Sequence, residues 1–228
     1  PRIVPTAFSI ADMTYEEALE LSHFGAQVLY PPTILPALRK GIPIQIKNAT
    51  DTDKPGTRIT TRSESKEIVK GLSYVDNMSI LLISGAGMVG ITGTSSRAFT
   101  ALSKEAINVV FVSQSSSEHS ICIGVSTNNA GDAVDALRRE FAMELDLSRI
   151  ESIDAEDGFS VIALVGNNMS HTPGVSGKMF GALGRNGINI HAIAQGASER
   201  NISAMIKTTD APKALNVLHE EFFLSHKK

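Results

Sequence analysis

The chain has 228 residues, with 24 acidic side chains against 21 basic ones, six histidines and a formal net charge of −3. So even a balance, with no basic stripe, excludes a nucleic-acid-binding surface, and a single cysteine, Cys122, excludes a disulfide framework. No apolar run approaches the ~20 residues that cross a bilayer and no signal peptide is evident, so a cytoplasmic chain without a membrane partner is expected.

The length suits two or three small domains. Because the chain opens at Pro1 and not at Met, it is expected to be a piece of a longer protein. In residues 1–62, Thr14-Tyr15-Glu16-Glu17 has the spacing of a capping box and opens a helix through Ala18, Leu19, Leu21 and Phe24. Pro31 and Pro32 are expected to break that helix, with a shorter one over Ile34–Arg39 and a strand over Ile42–Ile46. Asn48–Thr57 is polar turn material and Thr60–Lys66 reads as a linker. Two helices and a strand bury too little to stand alone, so this stretch reads as the tail of a larger α/β domain.

The remainder is one unit written twice. A shift of 81 residues, the distance from Gln114 to Gln195, aligns Ala106–Phe141 with Gly187–Phe222 without a gap. Ile107/Ile188, Asn108/Asn189, Ser117/Ser198, Glu118/Glu199, Leu137/Leu218 and Phe141/Phe222 coincide, and upstream so do Gly85/Gly166, Met88/Met169 and Gly93/Gly174. Each copy reads as strand, helix, strand, strand, helix. The strands are Ser79–Ser84 and Ser160–Val165, Asn108–Ser113 and Asn189–Ala194, Ile121–Val125 and Ile202–Ile206. The helices are Ser95–Ala106 and Ser176–Asn186, then Asp132–Phe141 and Ala211–Phe222, the last with Asp210 as N-cap and Pro212 in its first turn. Gly71–Val75 and Arg149–Ile153 supply fourth strands, each able to serve either copy. The expected fold is α+β: two ferredoxin-like βαββαβ domains at about 63–157 and 158–228, preceded by the 1–62 piece.

Most motif matches fail their structural context. Gly85-Ala86-Gly87-Met88-Val89-Gly90 fits a dinucleotide fingerprint, but the next strand ends at Ser113-Gln114 without the acidic residue that would hold a ribose. Gly174–Lys178 lacks the first glycine and the Ser/Thr of a phosphate loop, since Thr172 and Met179 stand there. The histidines lack metal-ligand spacing, no Ser/His/Asp set can be assembled, and Cys122 reads as an inert strand thiol. No catalytic residue and no metal site is therefore assigned.

What survives is the loop after each first strand, Gly85–Thr94 and Gly166–Val175, with the start of the second strand beside it. A helix N-terminus attracts a carboxylate, and the repeated Asn108 and Gln114 are amides that donate and accept. That combination suits a free amino acid. The plainer reading is that Gly93 caps a helix, Met88 fills core and Asn108 satisfies a strand end. Glu118 and Glu199 are expected to be solvent-exposed hairpin residues, not ligands.

The stretches HFGAQVLYPPTILPAL and IPIQIKNATDTDKPGTRI resemble the carboxy-terminal end of the amino-acid kinase domain of aspartate kinases. GINIHAIAQGASERNIS and its partner copy resemble the paired ACT domains that follow it, most like those of the bifunctional aspartate kinase–homoserine dehydrogenases. The resemblance implies ATP-dependent phosphorylation of the L-aspartate β-carboxylate, with ATP and Mg, by the full-length protein. For this chain, without cofactor, it implies a regulatory role: binding an end-product amino acid, threonine in most such bifunctional proteins, within a homo-oligomer formed through ACT domains. The effector residues it implies are Met88, Val89, Gly90, Asn108, Val109, Gln114, Ser115 and Gln195. Arg2, Gln27 and Val28 would edge the nucleotide site, although Gln27 stands where many members have Lys. A lysine-responsive regulator and a ligand-free dimerisation module are the alternatives. No acidic residue lies in Gly85–Thr94 or Ile107–Ser117, which favours threonine over lysine.

Overall fold

The computed structural model describes residues 2–25, 29–51, 53–88, 92–114 and 120–224. The chain separates into two compact units. One comprises Pro1–Val75, Ile162–His191 and Gln195–Lys228; the other comprises Asp76–Val161 with Ala192–Ala194.

The N-terminal segment, in the first of these units, is a three-stranded sheet of β1 (Asp12–Thr14), β2 (Ile44–Ile46) and β3 (Thr57–Thr60), with β3 central, parallel to β1 and antiparallel to β2. Helix α1 (Tyr15–His23) begins at the expected capping box. Thr14 Oγ1 accepts the Glu17 N–H at 3.2 Å and Glu17 Oε2 accepts the Thr14 N–H at 2.9 Å. Helix α2 (Pro31–Lys40) departs from the reading that Pro31 and Pro32 end a helix: they open one. In a first turn the missing proline N–H has no intrahelical partner to lose. Tyr15, Ile34 and Ile59 are fully buried between these elements, and Val165 of the second repeat closes the same cluster.

The first repeat is β4 (Gly71–Ser84), α3 (Thr94–Lys104), β5 (Val109–Gln114), β6 (Ser120–Ser126), α4 (Ala130–Glu140) and a short α5 (Ala142–Asp146). The second is β7 (Ser152–Val165), α6 (Val175–Arg185), β8 (Ala192–Gln195), β9 (Asn201–Lys207) and α7 (Ala211–His219), which runs on into a wider turn over Glu220–Leu224. Strands are hydrogen-bonded in the order β5-β6-β4-β7 for the first repeat and β8-β9-β7-β4 for the second, so β4 and β7 each serve both. The Glu151 N–H donates to the Ser84 carbonyl at 2.8 Å, and the Lys70 N–H to the Val165 carbonyl at 2.7 Å. Residues Gly71–Val75 thus flank the second repeat's sheet, while the start of β7 flanks the first. Midway along β4 and β7, Asn77 (φ 55°) and Gly158 (φ 86°) occupy equivalent positions in left-handed conformation. Gly adopts this conformation freely, and Asn is among the side chains that tolerate it.

The cores repeat with the shift. Leu81, Leu102, Ile123 and Leu137 are fully buried in one, and Ile162, Leu183, Ala204 and Leu218 in the other. At about 25 cal/mol per Å² of apolar surface, this burial supplies most of what holds each sheet to its helices. Two local expectations fail. The strand drawn over Asn189–Ala194 is only Ala192–Gln195; ahead of it the His191 N–H donates to the Met205 carbonyl at 2.8 Å, and the Asn189 side-chain amide lies 3.2 Å from His191 Nε2. Asp210 occupies the N-cap position of α7 but makes no side-chain cap bond, since Thr208–Asp210 already form a tight turn that leads into the helix.

Candidate ligand-binding site

In both repeats the loop after the first strand ends in a glycine at φ near +90°, Gly93 and Gly174, immediately before α3 and α6. A side chain with Cβ is strained there, so the glycine is what lets the chain turn sharply into the helix. The Arg97 and Lys178 amides bond back to the Gly93 and Gly174 carbonyls at 2.9 and 2.8 Å. These are the first backbone bonds of each helix, and the amides that precede them have no partner within the helix.

In the second repeat this corner is a pocket of about 310 Å³. Met169, His171 and Thr172 of the loop line one side, with Gly174 and Ser176 at the helix start; Gln195, Glu199 and Ile202 line the other. Met169 is also buried in the second core. Glu199, half-exposed and in left-handed backbone (φ 54°), accepts the His171 N–H on its carboxylate at 2.6 Å. The reading of Glu199 as a purely exposed hairpin residue is corrected accordingly: its side chain forms part of the pocket wall. Glu118, its counterpart, lies outside the described residues, as do Val89, Gly90 and Ser115.

In the first repeat Ser95, the counterpart of Ser176, donates from Oγ to Gln114 Oε1 at 3.2 Å. The end of β5 is thereby tied to the first turn of α3. Met88 is buried in the first core, Val109 is half-buried opposite Val125 on β6, and Asn108 is exposed. Gln195 belongs to the other compact unit, where it serves the 310 Å³ pocket. Ala192–Ala194, by contrast, cluster with the first repeat, and Ser113 Oγ donates to the Ile193 carbonyl at 2.9 Å. Cys122 is half-buried on β6, and burial pushes its thiol pKa up, which disfavours the reactive thiolate.

A second, larger cavity of about 860 Å³ lies between the N-terminal segment and the second repeat. Its walls are mainly apolar, among them Phe8, Ile59 and Tyr74, with Arg2 and Lys70 also lining it. Gln27 and Val28 lie outside the described residues. Among the described residues no group of three or more His, Cys, Asp or Glu side chains is placed to hold a metal, and no helix is long and apolar enough to cross a membrane.

Comparison with known proteins agrees with this architecture. The ACT domain family matches residues 81–141 and 162–222. A bifunctional aspartokinase/homoserine dehydrogenase of Arabidopsis thaliana is 40% identical over 231 residues, spanning 99% of this chain and 25% of the relative. The crystal structure of Clostridium acetobutylicum aspartate kinase superposes with a TM-score of 0.86 at 27% identity, covering 97% of this chain and 51% of that one. The structure of Escherichia coli aspartokinase III in complex with lysine and aspartate gives a TM-score of 0.78 at 30% identity, covering 98% of this chain and 48% of that one. This chain thus spans between a quarter and a half of these proteins. It belongs to the ACT domain family, as a tandem pair of ACT domains similar along nearly its whole length to the aspartokinases.

Proposed function

We propose that this chain is the amino-acid-sensing region of an aspartate kinase and that its effector is L-threonine. The full-length protein would phosphorylate L-aspartate with ATP and Mg, with Arg2, Gln27 and Val28 at the edge of the nucleotide site. The observation that carries the reading is the 310 Å³ pocket, in which Gln195 and Ser176 repeat the Gln114–Ser95 pair of the first domain. Free amides at the start of α6 suit the effector carboxylate, Glu199 its ammonium, and Gln195 and Ser176 a side-chain hydroxyl. Met88, Asn108, Val109 and Gln114, with Val89, Gly90 and Ser115, would form the corresponding site of the first domain. Association of copies through ACT domains belongs to the same reading. A ligand shifts such a protein between states only by its difference in affinity for them.

A second reading has its own support. Glu199 places a carboxylate on the pocket wall, which suits a lysine ammonium, and the similar E. coli protein is one solved with lysine. Titration calorimetry of this chain with L-threonine and L-lysine separates the two. Saturable threonine binding with little response to lysine is expected. The reverse result transfers the assignment to lysine, and an unchanged melting temperature with all twenty amino acids reduces the repeats to a dimerisation module.

A further inference from the structure

We infer that Asn167 and Asn168 carry ligand occupancy of the second repeat's pocket to helix α1 of the N-terminal segment. The inference rests on the pocket being an amino-acid site. The two asparagines open the same loop that lines the pocket from Met169 to Ser176. The Asn167 N–H donates to Glu17 Oε1 at 2.9 Å, and its Nδ2 donates to Thr14 Oγ1 at 2.8 Å. Both acceptors are the capping box of α1, and Glu17 is 2% exposed. One buried carboxylate therefore takes the Thr14 amide on one oxygen and the Asn167 amide on the other. Asn167 Oδ1 has no hydrogen-bond partner and is the buried side-chain atom left so among the described residues. Such an atom favours any small movement that gives it a donor.

The next residue extends the contact. Asn168 Nδ2 donates to the Ser65 and Glu67 carbonyls at 3.1 and 2.9 Å, and Thr172 on the pocket wall donates from Oγ1 to the Asn168 carbonyl at 2.6 Å. The opposite pocket wall reaches α1 as well: Asn201, between Glu199 and Ile202, donates from Nδ2 to Glu20 Oε2 at 2.6 Å. Glu17 and Glu20 lie three apart, on one face of α1. A ligand drawing loop and hairpin together thus pulls on one helix face at two points. Part-buried charge-assisted hydrogen bonds transmit such a movement, because breaking one leaves a carboxylate without its donor.

The duplication shows that the residues making this link are not repeated in the first copy. Shifting back by 81 residues, Asn167, Asn168 and Asn201 become Ala86, Gly87 and Ser120. Neither Ala86 nor Gly87 has a side-chain donor. Gly87 instead lies against Arg149, where a Cβ would come within 2.6 Å of the Arg149 Cα. Gly85 and Gly87 of the first loop thus lie against their own repeat, whereas Asn167 and Asn168 of the second are bonded to the segment before it.

The experiment is amide hydrogen exchange of this chain, with and without L-threonine, comparing wild type with the double variant Asn167→Ala, Asn168→Gly, which gives the second loop the first loop's residues. Without ligand, exchange in the first turns of α1 should quicken about two- to tenfold in the variant, the range for losing one or two net hydrogen bonds. With threonine, α1 exchange should slow in the wild type but not in the variant, while calorimetry gives both an affinity equal within about twofold. An α1 response retained in the variant overturns the link, as does unquickened exchange without ligand. Absence of threonine and lysine binding by wild type sinks the reading of the pocket, and the ligand-free comparison still decides whether the loop holds α1.

Discussion

The two ACT repeats bury side chains at largely equivalent positions and differ in what they attach to. In the first, Arg97 on α3 donates from Nε to Glu140 Oε1 at 2.8 Å, pairs with Glu144, donates to the Glu140 carbonyl at 2.7 Å, and lies 4.6 Å over the Phe141 ring. In the second, the same positions hold Lys178, Glu221 and Phe222, with the ammonium 4.0 Å from Glu221 and 4.8 Å over the ring. Arg185 shares Glu221 at 3.1 Å. A planar guanidinium can satisfy two carboxylates and a carbonyl together, which an ammonium on a flexible stem does less well. The first repeat thus ties its helices to each other through one multiply bonded arginine, and the second, with looser pairs there, also directs polar groups to the N-terminal segment. Duplication preserved the core and left the polar positions free to specialise.

The comparison is tested most severely in the cores. Leu102 and Leu183 are equivalent and both fully buried. Each Leu→Ala change should cost about 2–5 kcal/mol by loss of packing and a residual cavity. Urea denaturation should show comparable losses; a difference above about 2 kcal/mol would mean that the repeats do not share one packing scheme.

The helix clamps should then separate the repeats. Arg97→Ala removes several charge-assisted bonds from a side chain 38% exposed, so after allowance for solvent screening about 1–2 kcal/mol is expected. Lys178→Ala removes a long ion pair and the contact with the Phe222 ring, and should cost about 0–1 kcal/mol. Thermal denaturation of the two variants gives the comparison, and equal losses would mean that the two clamps hold their helices equally.

The same clamp makes stability depend on acid. The hydrogen bond from Arg97 holds the Glu144 carboxyl below its ordinary value, and the Ser63 hydroxyl does the same for Asp12. A carboxyl with a depressed folded pKa stabilises fully above its unfolded pKa, about 3.9–4.3, and that contribution is lost as pH falls through the folded value. The urea midpoint of the wild type should therefore fall more steeply below about pH 4 than that of Glu144→Gln. Parallel curves would remove Glu144 from the account.

How much of this was legible in the sequence depends on which force placed each residue. The 81-residue shift paired Leu137 with Leu218 because core positions follow helix and strand periods, and Thr14 with Glu17 declared a cap through spacing alone. Strand β1 was missed because three residues carry no readable period; its place comes from pairing with β3, more than forty residues on. Asn167 and Asn168 were passed over because their partners lie about 100–150 residues away. A signal was present even so. The second copy substitutes two amides where the first has Ala86 and Gly87, and a polar divergence within a conserved repeat marks a change of neighbour. Glu199 was misjudged for a related reason, since a hairpin residue appears solvated until the loop across from it is known.

The smallest expected effect concerns the paired glutamines. Gln114→Ala and Gln195→Ala should each weaken L-threonine binding by about 0.5–1.5 kcal/mol, roughly two- to twelvefold, as when one hydrogen bond to a ligand is lost. Leu137→Val is the control. Its side chain packs helix α4 on the sheet, so shortening it should lower the melting temperature while leaving threonine affinity unchanged. The glutamines should not respond alike. Gln114 already accepts from Ser95, so a ligand must compete with that bond, whereas Gln195 lines an open pocket with Ser176 beside it. Ser95→Ala should accordingly tighten the first site, or leave it unchanged, while Ser176→Ala weakens the second. Calorimetry on the four variants resolves the two sites, and weakening by both serine changes would show that the repeats bind through one geometry after all.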